Sequence, residues 1–526
     1  MNCCFLNEMS RGRLILLLIA SLTMMACGKT EISDTEHVNR AKQYQSTGDF
    51  KATLIELKNA LQQNPKNSEA RRLLGELYVL IGNGVAAEKE LNTAVQLGVS
   101  GSHVQKLQGK SLLLQGRHDD VLETLSKMDV SSQPDLLVLR GEAQLGLGKN
   151  DMAQTAFREA LVIKPDDSAA LLGQARIYFA TGDLEKAINK VEKVLGITPN
   201  NVEAWVLKGN VADQQERSGD AQTAYQRAID LVAANIVTRV GMGARTDLTK
   251  LLITQRKFDE ATVHIKYLLK ATPKHPIPNY MAGLLAYEKK EYAKARDYFQ
   301  AVLKSSPNHL PSVFLLGSAN YALGHVEQAE QPLTRVVASN PSLLPARMLL
   351  ANIQLQQSQA DQAFNVLEPA LAQQPNNVRL LAMAGQAALR SGEYEKGRGF
   401  LQKAVDNQPK AGGLRTQLAM LHLAEGNDAL AIEALARAIK FGKDPTREQS
   451  MLALTYLRKK DFDKALSTAQ DLAAKHPKNA YPQNLLGVIY GAKGDISQAR
   501  GAFSGALKLE PEFTSAALNL ARLDVL

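Results

Sequence analysis

The sequence predicts an all-α fold, an array of paired helices stacked side by side. Three observations predict it. At 526 residues the chain is too long for one ordinary core, yet aromatics make up only 5% of it and tryptophan occurs once. Prolines recur at a fixed interval: Pro273, Pro307, Pro341, Pro375 and Pro409 are each 34 residues apart, as are Pro165 and Pro199, and Pro477 and Pro511. A small residue recurs at the eighth place of each interval: Ala41, Gly75, Gly109, Gly141, Ala175, Gly209, Gly283, Gly317, Ala351, Gly385, Ala419, Ala453 and Gly487, with Thr249 the one departure. A fixed period of this length marks stacked helical hairpins, each unable to bury its apolar face alone.

The clearest unit is LLGVIYGAKGDISQARGAFSGALKLEP, residues 485–511. Its first helix should end near Gly491–Gly494, where glycines stop it. Asp495 is placed to cap the second helix, and Pro511 closes the unit. The small residue at place eight lets two antiparallel helices approach, and the alanine and large apolar residue of the second helix fill the seam. Leu486, Gly487, Tyr490, Ala499, Phe503, Ala506 and Pro511 resemble the tetratricopeptide pattern. That resemblance implies a right-handed superhelical solenoid of about fourteen helix pairs. Six units fill 34–233, an irregular insertion occupies 234–239, and eight more fill 240–511. Residues 512–526 repeat only a first helix and read as a C-terminal capping helix. The third unit is weak and about two residues short.

The first residues follow different rules. Arg11 and Arg13 precede the apolar run LILLLIASLTMM, and Ala26 stands before Cys27. A basic start, a short apolar run and a small residue describe a secretory signal, and the run is short of the roughly 20 residues of a spanning helix. The stretch resembles a bacterial lipoprotein signal over 1–26, with Met24 where leucine is usual. The resemblance implies a lipidated Cys27, a short tether over 27–33 and, from Gly28 and Lys29 after the cysteine, an outer-membrane lipoprotein facing the periplasm. No cysteine follows Cys27, so the exported chain would rely on packing without internal disulfides.

Net charge is +9, and +8 beyond Cys27. This fits a mixed solvated surface or a mild attraction to an acidic polymer or membrane. No metalloprotease, thiol-redox, nucleophile-elbow or phosphate-loop motif is present. Gly241-Met242-Gly243 reads as a turn at the irregular join. His264 and His275 are near in sequence without metal-ligand spacing. No enzyme, cofactor, metal or nucleic-acid partner is expected.

Function is then expected on a surface. In tetratricopeptide proteins the concave face is built from first-helix places two, five, nine and twelve. In the eighth unit these are Ile277, Tyr280, Leu284 and Tyr287, and in the ninth Pro311, Phe314, Ser318 and Tyr321. Tyr280, Tyr287, Phe314 and Tyr321 would grip an extended peptide or stack on sugar rings, or simply pack between turns. Asn210 and Asn352 stand at place nine, but the lysine and arginine partners of a carboxylate clamp do not line up with them. The signal, followed at once by AKQYQSTGDFKATLIELKNALQQNPKNSEARRLLGELYVLIGN, resembles the long tetratricopeptide lipoproteins of exosortase (PEP-CTERM) systems. That implies a scaffold among envelope proteins of exopolysaccharide export and protein sorting, anchored to the membrane by lipid. Direct polysaccharide binding, and pilus or outer-membrane-protein assembly, are the alternatives.

Overall fold

The computed structural model describes residues 32–232, 238–442 and 444–524. Cys27, the signal over 1–26, most of the tether and most of the 234–239 insertion therefore lie outside the described residues. Among the described residues there are 29 α-helices and no strand. None of these helices is long and apolar enough to cross a membrane. The chain divides into two compact units, Met1–Lys289 and Lys290–Leu526.

Within each unit consecutive helices form antiparallel hairpins, beginning with α1 (Asp34–Ser46) and α2 (Phe50–Gln63). Local chemistry starts many of them. Asp49, Asn67, Asn83, Asp183, Asn201 and Asn377 each sit at an N-cap and accept a backbone N–H of the first turn. Asp495 occupies the same place ahead of α28 (Ile496–Leu509), but its side chain makes no capping bond. The preceding helix, α27 (Ala480–Lys493), ends on Gly494 at φ 94°, as the glycines there predict.

One backbone feature recurs at every turn inside a hairpin. The fifteenth residue of each of the fourteen units has positive φ. It is glycine at Gly48, Gly82, Gly116, Gly148, Gly182, Gly324, Gly392, Gly426 and Gly494, and a residue with a Cβ at Glu216, Arg256, Lys290, Ser358 and Lys460, at φ 59–62°. Those five bear a steric cost that glycine avoids.

The seam inside each hairpin is set by a pair sixteen residues apart. A Cβ placed on Gly75, Gly141, Gly209, Gly317, Gly385 or Gly487 would lie 2.4–2.8 Å from Leu91, Phe157, Tyr225, Leu333, Leu401 or Phe503 respectively. The three aromatics in this set all face glycine. Where place eight is alanine the partner is never aromatic: Leu57 stands opposite Ala41, Leu367 opposite Ala351, Leu435 opposite Ala419, Val191 opposite Ala175 and Ala469 opposite Ala453. Leucine is thus accommodated by glycine or alanine, whereas an aromatic ring at the partner place is met only by glycine.

Two irregularities bear on the sequence reading. The third unit's second helix, α6 (His118–Ser126), has 9 residues against 13 or 14 in its neighbours. With that helix short, Gly109 of α5 (Ser102–Leu114) is covered by Leu139 of α7 (Pro134–Gly146) instead of by its own hairpin partner. Gly241 and Gly243, read from the sequence as a turn, are helical: α13 runs Arg239–Thr254 and includes the last residue assigned to the insertion. The reason is Thr238, whose hydroxyl accepts the Gly241 N–H at 3.0 Å and starts the helix ahead of the glycines. At the far end α29 (Thr514–Asp524) closes the stack, with Leu520 and Leu523 packed on Ala499 and Phe503.

Candidate functional site

Successive first helices lie side by side within each unit, and places two, five, nine and twelve line the face they share. In Met1–Lys289 the first six repeats bring charges of both signs to that face, while the seventh and eighth bring only one charged residue, Lys250. Lys42 meets Glu69 at 2.7 Å, Arg72 meets Glu76 at 3.1 Å, and His103 stands 3.9 Å from Glu76. Lys106 then pairs with Asp135, and Arg176 with Glu203. Glu142 lies among them; burial raises its carboxyl above the usual range, and the charges of Lys110 and Arg176 oppose that rise. Four of these contacts join one repeat to the next, and Arg72–Glu76 lies within one helix; Lys110, Glu142, Asp213 and Lys250 on the same places have no ion pair among the described residues.

In Lys290–Leu526 the same places carry no carboxylate. Neutral groups join the helices instead. The Tyr321 hydroxyl on α17 (Leu310–Ala322) accepts Asn352 Nδ2 at 2.7 Å and Gln356 Nε2 at 2.9 Å, both from α19 (Leu344–Gln356). Arg390 donates to the Leu355 carbonyl at 2.6 Å, and Asn519 to Asn484 Oδ1 at 3.1 Å. The Arg447 guanidinium lies 3.6 Å from the Met420 sulfur.

This geometry shows where the predicted aromatics go. Phe314 and Tyr321 are half-buried against Ala329, Leu333, Leu350 and Ile353. Their rings contribute to packing between repeats and present only part of their surface. Ser318, placed on the same face by the pattern, is buried and donates to the Phe314 carbonyl at 2.9 Å. Tyr280 and Tyr287 are half-buried on α15 (Pro276–Glu288) in the other unit, and burial raises the Tyr280 hydroxyl above the usual tyrosine value. Their neighbour Ile277 is 41% exposed. Of the packing signature, Gly487, Ala499, Phe503 and Ala506 are buried, Tyr490 packs half-buried beside Ala499 and Phe503, and Pro511 is exposed after the second helix.

Among the described residues no cluster of three or more His, Cys, Asp or Glu could hold a metal ion. His275 caps α15, accepting the Ile277 N–H at 3.3 Å. His264 stands 3.5 Å from Arg245; burial first, and then that positive neighbour, lowers its imidazole.

The sequence reading did not anticipate how the units are joined. The fourth residue of several first helices reaches back to the carbonyl of the proline that closes the previous unit. Arg71 donates to Pro65, Trp205 to Pro199, Asn279 to Pro273, Arg347 to Pro341 and Arg415 to Pro409, at 2.5–3.2 Å. Arginine, tryptophan and asparagine share only a side-chain N–H, so a search for one residue type misses the pattern. The only signal is a donor six residues after the proline.

Comparison with known proteins agrees with this architecture. Models described as tetratricopeptide repeat match residues 45–111 and 354–411, 138–202 and 383–448, 202–234, and 450–479. A model described as the second ARM domain of tetratricopeptide repeat protein 21 matches 259–358. The Homo sapiens mitochondrial import receptor subunit TOM70 is 25% identical over 233 residues, 40% of this chain and 37% of that protein. Cellulose synthase operon protein C of Pseudomonas fluorescens is 25% identical over 244 residues, 44% of this chain and 18% of that protein. The match thus spans well under half the length of these relatives. Among solved structures, the APC/C hetero-tetramer Cut9–Hcn1 aligns with a TM-score of 0.40 at 15% identity, covering 96% of this chain and 98% of that one. A human IFIT1 dimer with m7Gppp-AAAA aligns at 0.43 and 15%, covering 72% and 91%. The 34-residue period, the paired helices with their glycine seams, and the family matches together identify this chain as one built from tetratricopeptide repeats.

Proposed function

We propose that this chain is a non-enzymatic scaffold for protein–protein interaction. It is tethered by lipid on Cys27 to the periplasmic face of the outer membrane, and holds components of exopolysaccharide export and of exosortase (PEP-CTERM) protein sorting. Tetratricopeptide repeats bind protein partners, and the observation that carries the reading is their run from Asp34 almost to the last residue. The array starts seven residues after Cys27, so a lipid there would hold one end of it at a membrane surface. The likeness to a cellulose synthase operon protein supports a setting in polysaccharide production.

Two measurements test this. Metabolic labelling with a fatty acid should mark the wild-type chain and not Cys27→Ala; label retained in the variant overturns the tether. In-cell crosslinking should capture envelope proteins of export or sorting. Capture of none, with direct binding of purified chain to the cell's own polysaccharide, would replace the scaffold with a polysaccharide-binding protein.

A further inference from the structure

The first-helix faces of the two units differ in chemistry, and this difference points to which one receives a partner. In Met1–Lys289 the face carries both signs, and Lys42, Lys106 and Arg176 are paired with carboxylates of the next repeat. A ligand engaging those three cations would have to break the ion pairs they already make, and one carrying carboxylates would meet Glu69, Glu76, Asp135, Glu142, Glu203 and Asp213 on the same face. In Lys290–Leu526 the corresponding places carry three positive charges, Arg379, Arg447 and, at place nine of the closing helix α29, Arg522, and no negative one. All three arginines are exposed, and none has a carboxylate partner among the described residues; Arg379 and Arg447 stand within the array, Arg522 at its closing helix. The acidic residue nearest in sequence to Arg447, Glu448, accepts the Thr416 hydroxyl at 2.8 Å. Residues 290–526 as a whole hold 27 Lys and Arg against 21 Asp and Glu.

Around Arg447 the face is apolar. Met420 touches its guanidinium, Leu454 on the same helix α25 (Thr446–Arg458) is 42% exposed, and Tyr481 at the start of the next first helix is 38% exposed. Amides stand along the rest of the face at Gln386 and at Asn352, whose Nδ2 already donates to the Tyr321 hydroxyl. A flexible thioether and a leucine accept side chains of varied shape, amides match a peptide backbone, and guanidinium forks match carboxylates.

Resting on the scaffold reading above, we infer that the first-helix face of Lys290–Leu526 docks an extended partner peptide whose apolar side chains alternate with carboxylates. The mixed-charge face of Met1–Lys289 does not take part. A sugar polymer fits less well. It would need a row of open aromatic platforms, and of the aromatics on this face only Tyr481 is exposed, Phe314 and Tyr321 being largely committed to packing.

The test is a random 12-residue peptide library displayed on phage and selected against the full chain purified in detergent. Selected peptides should be enriched in Asp and Glu together with Leu, Met or Phe, and depleted in Lys and Arg. Measured by fluorescence anisotropy, Arg379→Glu/Arg447→Glu should weaken the best peptide at least tenfold and reverse its salt dependence. Leu454→Asp should weaken it similarly, and Lys42→Gln/Lys106→Gln on the other face should change it less than twofold. Unchanged helical circular dichroism shows that the variants fold; these arginines and Leu454 lie at the surface, so folding is expected. Selection of basic peptides, an unaltered affinity in the double arginine variant, or loss in the Lys42/Lys106 variant overturns the inference. So does an empty selection, and polygalacturonate binding that depends on the two arginines would then identify a polysaccharide ligand. If peptides bind as described while in-cell crosslinking captures no export or sorting protein, the docking surface stands and the proposed cellular role falls.

Discussion

Replacing Gly487 by alanine probes the packing rule that builds every hairpin. The new Cβ would sit 2.4 Å from Phe503 Cε1, 2.5 Å from Cδ1 and 2.9 Å from Cζ. Phe503 is only 3% exposed and is held by Ala499 and Leu523, so its ring has little room to withdraw. Overpacking of this kind costs about 1–3 kcal/mol. Alanine's better helix propensity returns about 1 kcal/mol, leaving a net loss of about 1 kcal/mol. Because neighbouring repeats stabilise one another, the loss should be concentrated in residues 480–524. Native-state hydrogen exchange should show amides there losing roughly five- to tenfold in protection, with the first unit unchanged. The chain itself supplies the rescue, since alanine at place eight elsewhere faces leucine or smaller. Gly487→Ala/Phe503→Leu should recover most of the protection, although Phe503→Leu alone loses it by opening a gap. A neutral Gly487→Ala, or a double variant worse than both single ones, would refute the volume-matching argument.

Three further outcomes are expected. Lys460, at φ 60°, should gain about 0.5–1 kcal/mol on replacement by glycine, whereas Gly426→Ala at φ 78° should lose about 1 kcal/mol, both read by local hydrogen exchange. Trp205→Phe keeps most of the ring and removes the Nε1 bond to the Pro199 carbonyl at 2.8 Å, which should cost about 1 kcal/mol at the joint between the fifth and sixth units. The Asp247 carboxyl is pushed up to about 6, chiefly by burial and secondarily by Asp213, against the charge of Lys250. The folded chain therefore holds this proton where the unfolded chain has released it, and stability falls as pH rises from about 4 through 6. Asp247→Asn should match wild type near pH 4 and exceed it by about 1 kcal/mol at pH 7.5, after allowing for partial solvent screening; urea denaturation at the two pH values measures this.

The fold was legible because its determinants are local and repeated. A glycine at place eight and a proline every 34 residues can be counted without knowing any contact, and the hairpins followed. What escaped depends on backbone conformation or on unlike residues doing one job. Positive φ at place fifteen is visible where glycine supplies it and hidden at Glu216 or Lys460. The bonds to proline carbonyls use three residue types, so no motif marks them. Gly241-Met242-Gly243 misled because glycine is a turn former only when nothing starts a helix ahead of it, and Thr238 does so. At the candidate site, the spacing assigned Phe314 and Tyr321 to one face, and both rings pack on the same cluster of Ala329, Leu333, Leu350 and Ile353. It could not reveal that Asn352 and Gln356 hold the Tyr321 hydroxyl, or that the rings serve the core. The contrast between a mixed-charge and a carboxylate-free face was already in the sequence, but only the frame of places two, five, nine and twelve brings it out.

The most direct test of the scaffold claim is site-specific photocrosslinking in living cells. A benzophenone side chain at Leu454, on the first-helix face, is compared with one at Val162, which is 79% exposed on a second helix. The account predicts discrete crosslinks from position 454 to an envelope protein of polysaccharide export or sorting, and none from position 162. Crosslinks to such a protein from position 162 alone, with none from 454, would contradict it.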